Sequence, residues 1–294
     1  MINQILESKD KKWHHITGVT NKDLDAIKAD FKYHHLDYED ISTETSISKM
    51  DTYKHYIFFV FHIPHVHKKI GHVYGEQLYV FLSKDSLVTI THTKNSQIED
   101  LYYRLQKSSK QRTSTLGKGT AFLMYRILFE SFRDSLKIVS DLTNEVSKLE
   151  QAIQHRHEKS ITVQLGHARR NTLFLRHIID PQRNILTSFS NIKKQFISDD
   201  LYVYFDDLHD SLDTIWLTAD NLKLIIDGLF DVNEALLSHK TNEIVTLLTI
   251  ISAAFMVPTF IAGFYGMNVS WLPFAENPQT ITFLYFAGFL GVIG

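Results

Sequence analysis

The sequence predicts an α/β domain, then a long helical stalk that continues into a two-helix transmembrane region. Three observations predict it. Runs rich in aromatic and β-branched residues lie within the first 112 positions. From Thr120 to Lys240 apolar residues return at three- and four-residue spacing. Beyond Lys240, the last of 31 Lys and Arg, only Glu243 and Glu276 carry formal charge in 54 residues. A mean hydropathy of -0.13 with 22% charged residues therefore averages two different kinds of chain.

Taken in order, Asn21 reads as the N-cap of a short helix. Tyr56–Phe61, Gln77–Phe81 and Leu87–Thr91 read as strands, the last two joined by the polar turn Ser83–Ser86 as a hairpin. Ser96–Lys107 reads as a helix, and Gly117-Lys118-Gly119 as the boundary after a polar stretch. The expected division is 1–112 for the α/β domain, 113–240 for the stalk and 241–294 for the membrane region. In the stalk, Leu123, Ile127, Phe132, Leu136, Val139, Leu142, Val146, Leu149 and Ile153 carry the helical period. Pro181 is the one expected break, with a turn near His155–Ser160 and a third helix from near Ser198. No proline follows until Pro258, so that helix should run ~65 residues into the membrane, packed along its length.

Ile244 to Phe264 is a charge-free run that spans ~31 Å as a helix, the thickness of a bilayer core. An outer loop, 265–280, separates it from a second apolar run at Ile281–Gly294. Its 14 residues fall short of the ~20 a membrane helix needs, so the chain reads as truncated. Lys223, His239 and Lys240 flank the first span and the loop has no Lys or Arg. By the positive-inside rule the large N-terminal part is cytoplasmic, in a multi-pass protein of the plasma or inner membrane. Lys9, Asp10, Lys11 and Lys12 interrupt the N-terminus, so no signal peptide is expected. The absence of Cys fits a cytoplasmic domain. No nucleic-acid partner is expected.

The first span ends in Tyr265-Gly266-Met267-Asn268. With Tyr204-Phe205-Asp206-Asp207-Leu208-His209-Asp210, Gly228–Val232, Lys240–Glu243 and Pro258-Thr259-Phe260-Ile261-Ala262-Gly263, this order of segments resembles the CorA family of magnesium channels. The resemblance is strong over about 200–270 and architectural before 190. It implies a homopentameric funnel with five first spans inside and Gly266, Met267 and Asn268 as the selectivity filter at the outer mouth. Many members follow the tripeptide with Met-Pro-Glu. Here Trp271-Leu272-Pro273-Phe274-Ala275-Glu276 stands instead, with Glu276 as the candidate loop carboxylate.

The chemistry of Mg²⁺ suits such a mouth. The ion loses water reluctantly, so a fast pore should hydrogen-bond to its water shell with neutral oxygens. Asn268 offers an amide for hydrated Mg²⁺, and Asn242 a second at the inner entrance. Val245, Leu248, Ser252, Met256, Thr259 and Gly263 fall between them on one helix face, as pore lining or as helix-packing surface. Asp231, three turns before Asn242, shares that face. A divalent ion crossing 100 mV gains ~4.6 kcal/mol, so no nucleotide is required, and no Walker-type loop is present.

The resemblance also implies regulation. Asp207 would bind intracellular Mg²⁺ jointly with an acid of a neighbouring subunit's α/β domain, with Asp85, Glu99 and Asp100 as candidates. Asp199, Asp206, Asp213, Asp220, Asp227 and Glu234 recur every seven residues. That stripe is either a solvated face paired with Arg169, Arg170, Arg176 or Lys193, or a cation-attracting surface. His62, His65, His67 and His72 cluster near a strand, as edge residues or as ligands for Zn²⁺, Co²⁺ or Ni²⁺. The alternatives to Mg²⁺ uptake are transport of Zn²⁺, Co²⁺ or Ni²⁺ on the same architecture, or a non-conducting membrane-anchored metal sensor. No nucleophile–base constellation suggests an enzyme.

Overall fold

The strand-forming runs assemble into a six-stranded mixed sheet in the order β1-β2-β6-β5-β4-β3. The computed structural model describes residues 1–45, 47–155, 159–192, 197, 199–267, 269, 277, 279–280, 282–283, 286 and 288. The strands are β1 (Ile2–Ser8), β2 (Lys11–Thr17), β3 (Lys49–Thr52), β4 (Tyr56–Val66), β5 (Val73–Ser83) and β6 (Ser86–Thr91). All neighbours pair antiparallel except β2 and β6, which run parallel with Trp13 opposite Leu87. β4 is buried from Tyr56 to Pro64 because both faces of the sheet are covered. On one face Phe58, Val60, Tyr79, Phe81 and Ile90 pack with Leu24, Ile27, Tyr38 and Ile41 of the short helices α1 (Leu24–Asp30) and α2 (His35–Ser42). The other face meets α5 (Thr120–His155) and α6 (Lys159–Ser190).

The start of α1 differs from expectation. Asp23, not Asn21, holds the N-terminal turn, its carboxylate accepting from the Thr20 amide at 2.9 Å and from the Thr20 hydroxyl at 2.7 Å. The residues expected as a helix, Ser96–Lys107, form α3, capped by the Asn95 side chain on the Ile98 amide. α4 (Ser109–Thr115) and a 3-10 turn (Leu116–Lys118) lead to Gly119, whose φ of 131 only glycine adopts freely.

Three long helices follow, the third being α7 (Asp199–Tyr265). Pro181 lies inside α6 and does not end it. One line of buried positions on α6 is Ile161, Leu165, Ala168, Thr172, Leu175, Ile179, Gln182, Leu186 and Phe189, flanked by buried Asn171, Ile178 and Ile185. The corresponding line on α7 is Leu201, Phe205, Leu208, Leu212, Ile215, Ala219, Leu222, Ile226 and Leu229. Both alternate steps of three and four, the seam of a coiled coil. Phe189 meets Phe205 at 4.6 Å between ring centroids. Among the described residues the chain divides into two units, Met1–Leu229 and Phe230–Gly294, the division falling within α7.

Gln182 is, with Thr172, one of two polar positions on that seam of α6. β3 stops pairing with β4 at Val60, opposite Lys49. Beyond that point the Gln182 side chain takes the strand's place: its oxygen accepts from the His62 amide at 3.3 Å and its nitrogen donates to the His62 carbonyl at 2.7 Å.

His15 is fully buried beneath the sheet, with Nδ1 3.0 Å from the Thr89 hydroxyl. Glu99 lies 3.8 Å from Nε2, yet burial dominates and lowers the His15 pKa to about 4. The unfolded chain therefore binds the extra proton first as pH falls from 6.5 towards 4. Stability should fall across that window by about 3 kcal/mol from this group, at 1.36 kcal/mol per unit. Thermal unfolding of the wild type against His15→Gln checks it: the variant should lose much of the slope.

Candidate ion path and its flanking charges

The residues expected along the ion path lie on one unbroken helix. Asp231, Asn242, Val245, Leu248, Ser252, Met256, Thr259 and Gly263 all belong to α7. From Asn242 onward they step by three and four, and Asp231 lies three turns before Asn242, so they share one face, and all are exposed in the single chain. An added Cβ at Gly263 would meet nothing within 4 Å. α7 is the one helix among the described residues long and apolar enough to cross a membrane. Ile244, Leu247, Ile250, Phe255 and Phe260 are exposed large hydrophobics. Such a surface is stable in lipid, not in water.

Gly266 follows the last residue of α7, and its amide donates to the Ala262 carbonyl at 2.8 Å. A Cβ at Gly266 would sit 2.8 Å from that same oxygen. Crowding against the backbone, not a left-handed cap, is what requires glycine here. Met267 follows, exposed, and its carbonyl accepts from the Val269 amide at 3.0 Å. Asn268 and Glu276 lie outside the described residues, as does most of the second apolar run. Of that run, Thr282, Phe283, Phe286 and Gly288 are helical. Gly288 lies against α7: a Cβ on it would be 2.3 Å from Val257 Cγ1 and 3.7 Å from Ile261 Cδ1.

The acidic stripe is answered by a basic one. Asp227 pairs with Arg169 at 3.0 Å, Asp220 with Arg176 at 2.8 Å, and Asp213 with Arg183. Asp206 continues the series, accepting from the Ser190 hydroxyl at 3.3 Å. The α6 partners also step by seven, and every pair of positions sums to 396, as an antiparallel register demands. Arg176 and Arg183 cover the Trp216 ring, 5.2 and 4.4 Å from its centroid. Ion pairing with the preceding helix accounts for these three acids. Arg183 escaped the sequence reading, although the seven-residue step from Arg176 marks it. The side chains of Asp199 and Lys193 lie outside the described residues.

Asp207 is on the next position of α7, near enough to Tyr125 to raise the pKa of that phenol, although burial is the larger cause. Of the acids expected to partner it from another subunit, Asp85 is held by Lys11 at 2.7 Å and Glu99 faces His15, while Asp100 lines an open cleft with Arg104 and Arg133. Another acid group comes into view only in the fold: Asp37, Asp40 and Asp51 each place an oxygen within 4.8 Å of the others. Lys49 sits between two of them, 2.6 Å from Asp40 and 2.8 Å from Asp51. Asp37 is fully buried, accepts from Tyr53 at 2.7 Å and Tyr56 at 2.6 Å, and burial raises its pKa.

The histidines do not form one cluster. His62 is buried on β4, its Nδ1 2.8 Å from the Ser48 hydroxyl and its Nε2 3.0 Å from the Thr45 carbonyl. His65 faces Glu76 at 3.0 Å. His72 turns instead to His167 on α6.

The family described as CorA-like Mg2+ transporter protein matches residues 8–294 of the sequence. The chain belongs to the CorA family. CorA membership makes it a membrane transport protein, not an enzyme. It is similar to the cobalt/magnesium transport protein CorA of Thermotoga maritima, 28% identical over 91% of this chain and 76% of the relative. It is also similar to the putative metal ion transporter YfjQ of Bacillus subtilis, 26% identical over 91% of this chain and 82% of the relative. The fold matches the complete structure of the CorA magnesium transporter from Methanocaldococcus jannaschii, with a TM-score of 0.82 at 20% identity, covering 98% of this chain and 90% of that one. The α/β domain followed by a long helix is thus CorA architecture.

Proposed function

We propose that the chain is one subunit of a homopentameric channel that carries hydrated Mg²⁺ into the cytoplasm, driven by the membrane potential. The observation that carries this reading is the single face of α7 from Asn242 to Gly266. It presents Ser252, Thr259 and Gly263 among apolar residues along a lipid-compatible helix, and it leads to Gly266-Met267-Asn268. A simple anchor has no use for a small and polar stripe on such a helix. The filter would be Gly266, Met267 and Asn268, with Asn242 at the inner entrance and Leu248 and Met256 as the apolar constrictions. Glu276 would stand in the outer loop. The Gly288–Val257 approach supports a second span packed on the first.

Self-association is supported by α7 itself. Val203, Leu217 and Leu224, at multiples of seven, are 70%, 55% and 60% exposed although apolar. A second copy would cover them. The relatives in Thermotoga maritima and Methanocaldococcus jannaschii are named cobalt/magnesium transport proteins, so Co²⁺ is a second substrate to test, with Ni²⁺ and Zn²⁺. Flux of Mg²⁺, Co²⁺, Ni²⁺ and Zn²⁺ into liposomes holding the protein tests the reading. Mg²⁺ should move without nucleotide and respond to voltage. Transition-metal flux without Mg²⁺ flux would favour the alternative ion, and no flux of any ion would favour a sensor.

Regulation completes the proposal. Asp207 would share a regulatory Mg²⁺ with a neighbouring subunit, closing the ring when internal Mg²⁺ is plentiful. The Asp40–Asp51 pair, already bridging one cation in Lys49, joins Asp85, Glu99 and Asp100 as a candidate partner. Asp207→Ala should leave permeation intact and shift the midpoint of inhibition by internal Mg²⁺ about tenfold upward, within the usual size of an allosteric coupling. Patch recordings at controlled internal Mg²⁺ measure the midpoint, and an unchanged one removes Asp207 from gating.

A further inference from the structure

The tip of the β4–β5 hairpin has no part in the ion path, yet it holds an arrangement that a surface loop does not need. His72 presents Nε2 to Nδ1 of His167 on α6 at 3.4 Å, with the rings 27° from parallel. The approach is built by a neighbour. Asn171, one turn beyond His167 and 6% exposed, donates to the Gly71 carbonyl at 2.9 Å and accepts from the Val73 amide at 3.1 Å. The peptide units on both sides of His72 are thereby tied to α6. Across the hairpin, the His67 amide donates to the His72 carbonyl at 2.8 Å. Gly71, with φ of 66, supplies the left-handed turn this needs.

The separation has a chemical meaning. Two imidazole nitrogens bound to one tetrahedral ion at ~2.0–2.1 Å stand ~3.3–3.4 Å apart. Imidazole nitrogens prefer borderline ions to Mg²⁺, which demands oxygen.

We propose that His72 and His167 form a binding site for one transition-metal ion, Zn²⁺, Ni²⁺ or Co²⁺, that staples the β4–β5 hairpin to α6. Binding shifts the N–H that lies between the rings to the other nitrogen of its own ring, so each ring gives the ion one lone pair and no proton is lost. Arg170 opposes it, its guanidinium nitrogen lying 3.5 Å from His72 Nε2, and the site is tuned weaker by that charge. It is separate from the transport path, and its occupancy does not depend on conduction.

Zn²⁺ binding to the full chain in detergent, measured by competition with a chromophoric chelator in excess Mg²⁺, tests the proposal. The wild type should hold one Mg²⁺-resistant Zn²⁺ per chain and unfold at a higher temperature with Zn²⁺ present. His72→Ala and His167→Ala should each weaken that binding at least tenfold and remove the thermal shift. Arg170→Gln should tighten it severalfold. His167 is exposed, so its replacement leaves the fold intact, which circular dichroism verifies. No Mg²⁺-resistant Zn²⁺ on the wild type overturns the proposal. So does binding that both histidine variants retain.

Discussion

Asn268→Ala is expected to abolish Mg²⁺ uptake by a correctly assembled protein. The reason lies in what the outer mouth must do. Mg²⁺ keeps its first water shell, so recognition consists of hydrogen bonds to polarised water. A hydrogen bond to a charged partner contributes about 1.5–3 kcal/mol, and in the proposed pentamer one substitution removes five amides at once. Even the low end exceeds the 1.4 kcal/mol that makes a tenfold change several times over. Alanine leaves the α7 backbone and the Gly266 crowding against Ala262 untouched, so assembly should survive. Uptake by reconstituted vesicles, with subunit association checked by size exclusion, measures it. Near-normal uptake from an intact oligomer would remove Asn268 from selectivity.

The largest effect on folding should come from Gln182→Ala. The His62 amide and carbonyl are buried at an edge that β3 does not reach, and the Gln182 side chain is their partner. Each buried backbone group left unmet costs about 1–3 kcal/mol, so the variant should lose about 2–6 kcal/mol. Gln182→Leu restores the volume and neither hydrogen bond. It should therefore destabilise nearly as much, which separates hydrogen bonding from packing. Denaturant unfolding gives the magnitude. Amide exchange at His62 gives the place, and unchanged protection there would defeat the explanation.

Parts of the molecule were legible in the sequence for physical reasons. β4, β5 and β6 showed because strands covered on both faces are nearly continuous apolar runs, as in Tyr56–Phe61. β1, β2 and β3 were missed. β1 carries Asn3 and Gln4 as a sheet edge that faces water, and β2, although inside the sheet, opens on Lys11 and Lys12 and holds His14 and His15, so the alternation of both is diluted. Pro181 was read as a break, but packing of the α6 seam on both sides carries the helix through it. The ion-path face was legible because a period of 3.6 depends only on spacing. Asp37, Asp40 and Asp51 were not, since the return of β3 beside α2 creates their proximity and no spacing rule foretells it.

The seven-residue pairing of α6 with α7 has a mechanical consequence. Arg169, Arg176 and Arg183 meet Asp227, Asp220 and Asp213 in a toothed rack. Sliding one helix by a single residue would point every guanidinium at the wrong rung and unseat the Trp216 ring beneath two of them. The next position in which all teeth mesh lies a full heptad away, ~10.5 Å at 1.5 Å per residue. No small displacement finds an intermediate resting place. The helices of this segment must therefore travel together, as one stiff lever, and any signal it conveys is a tilt or a rotation and never a slip.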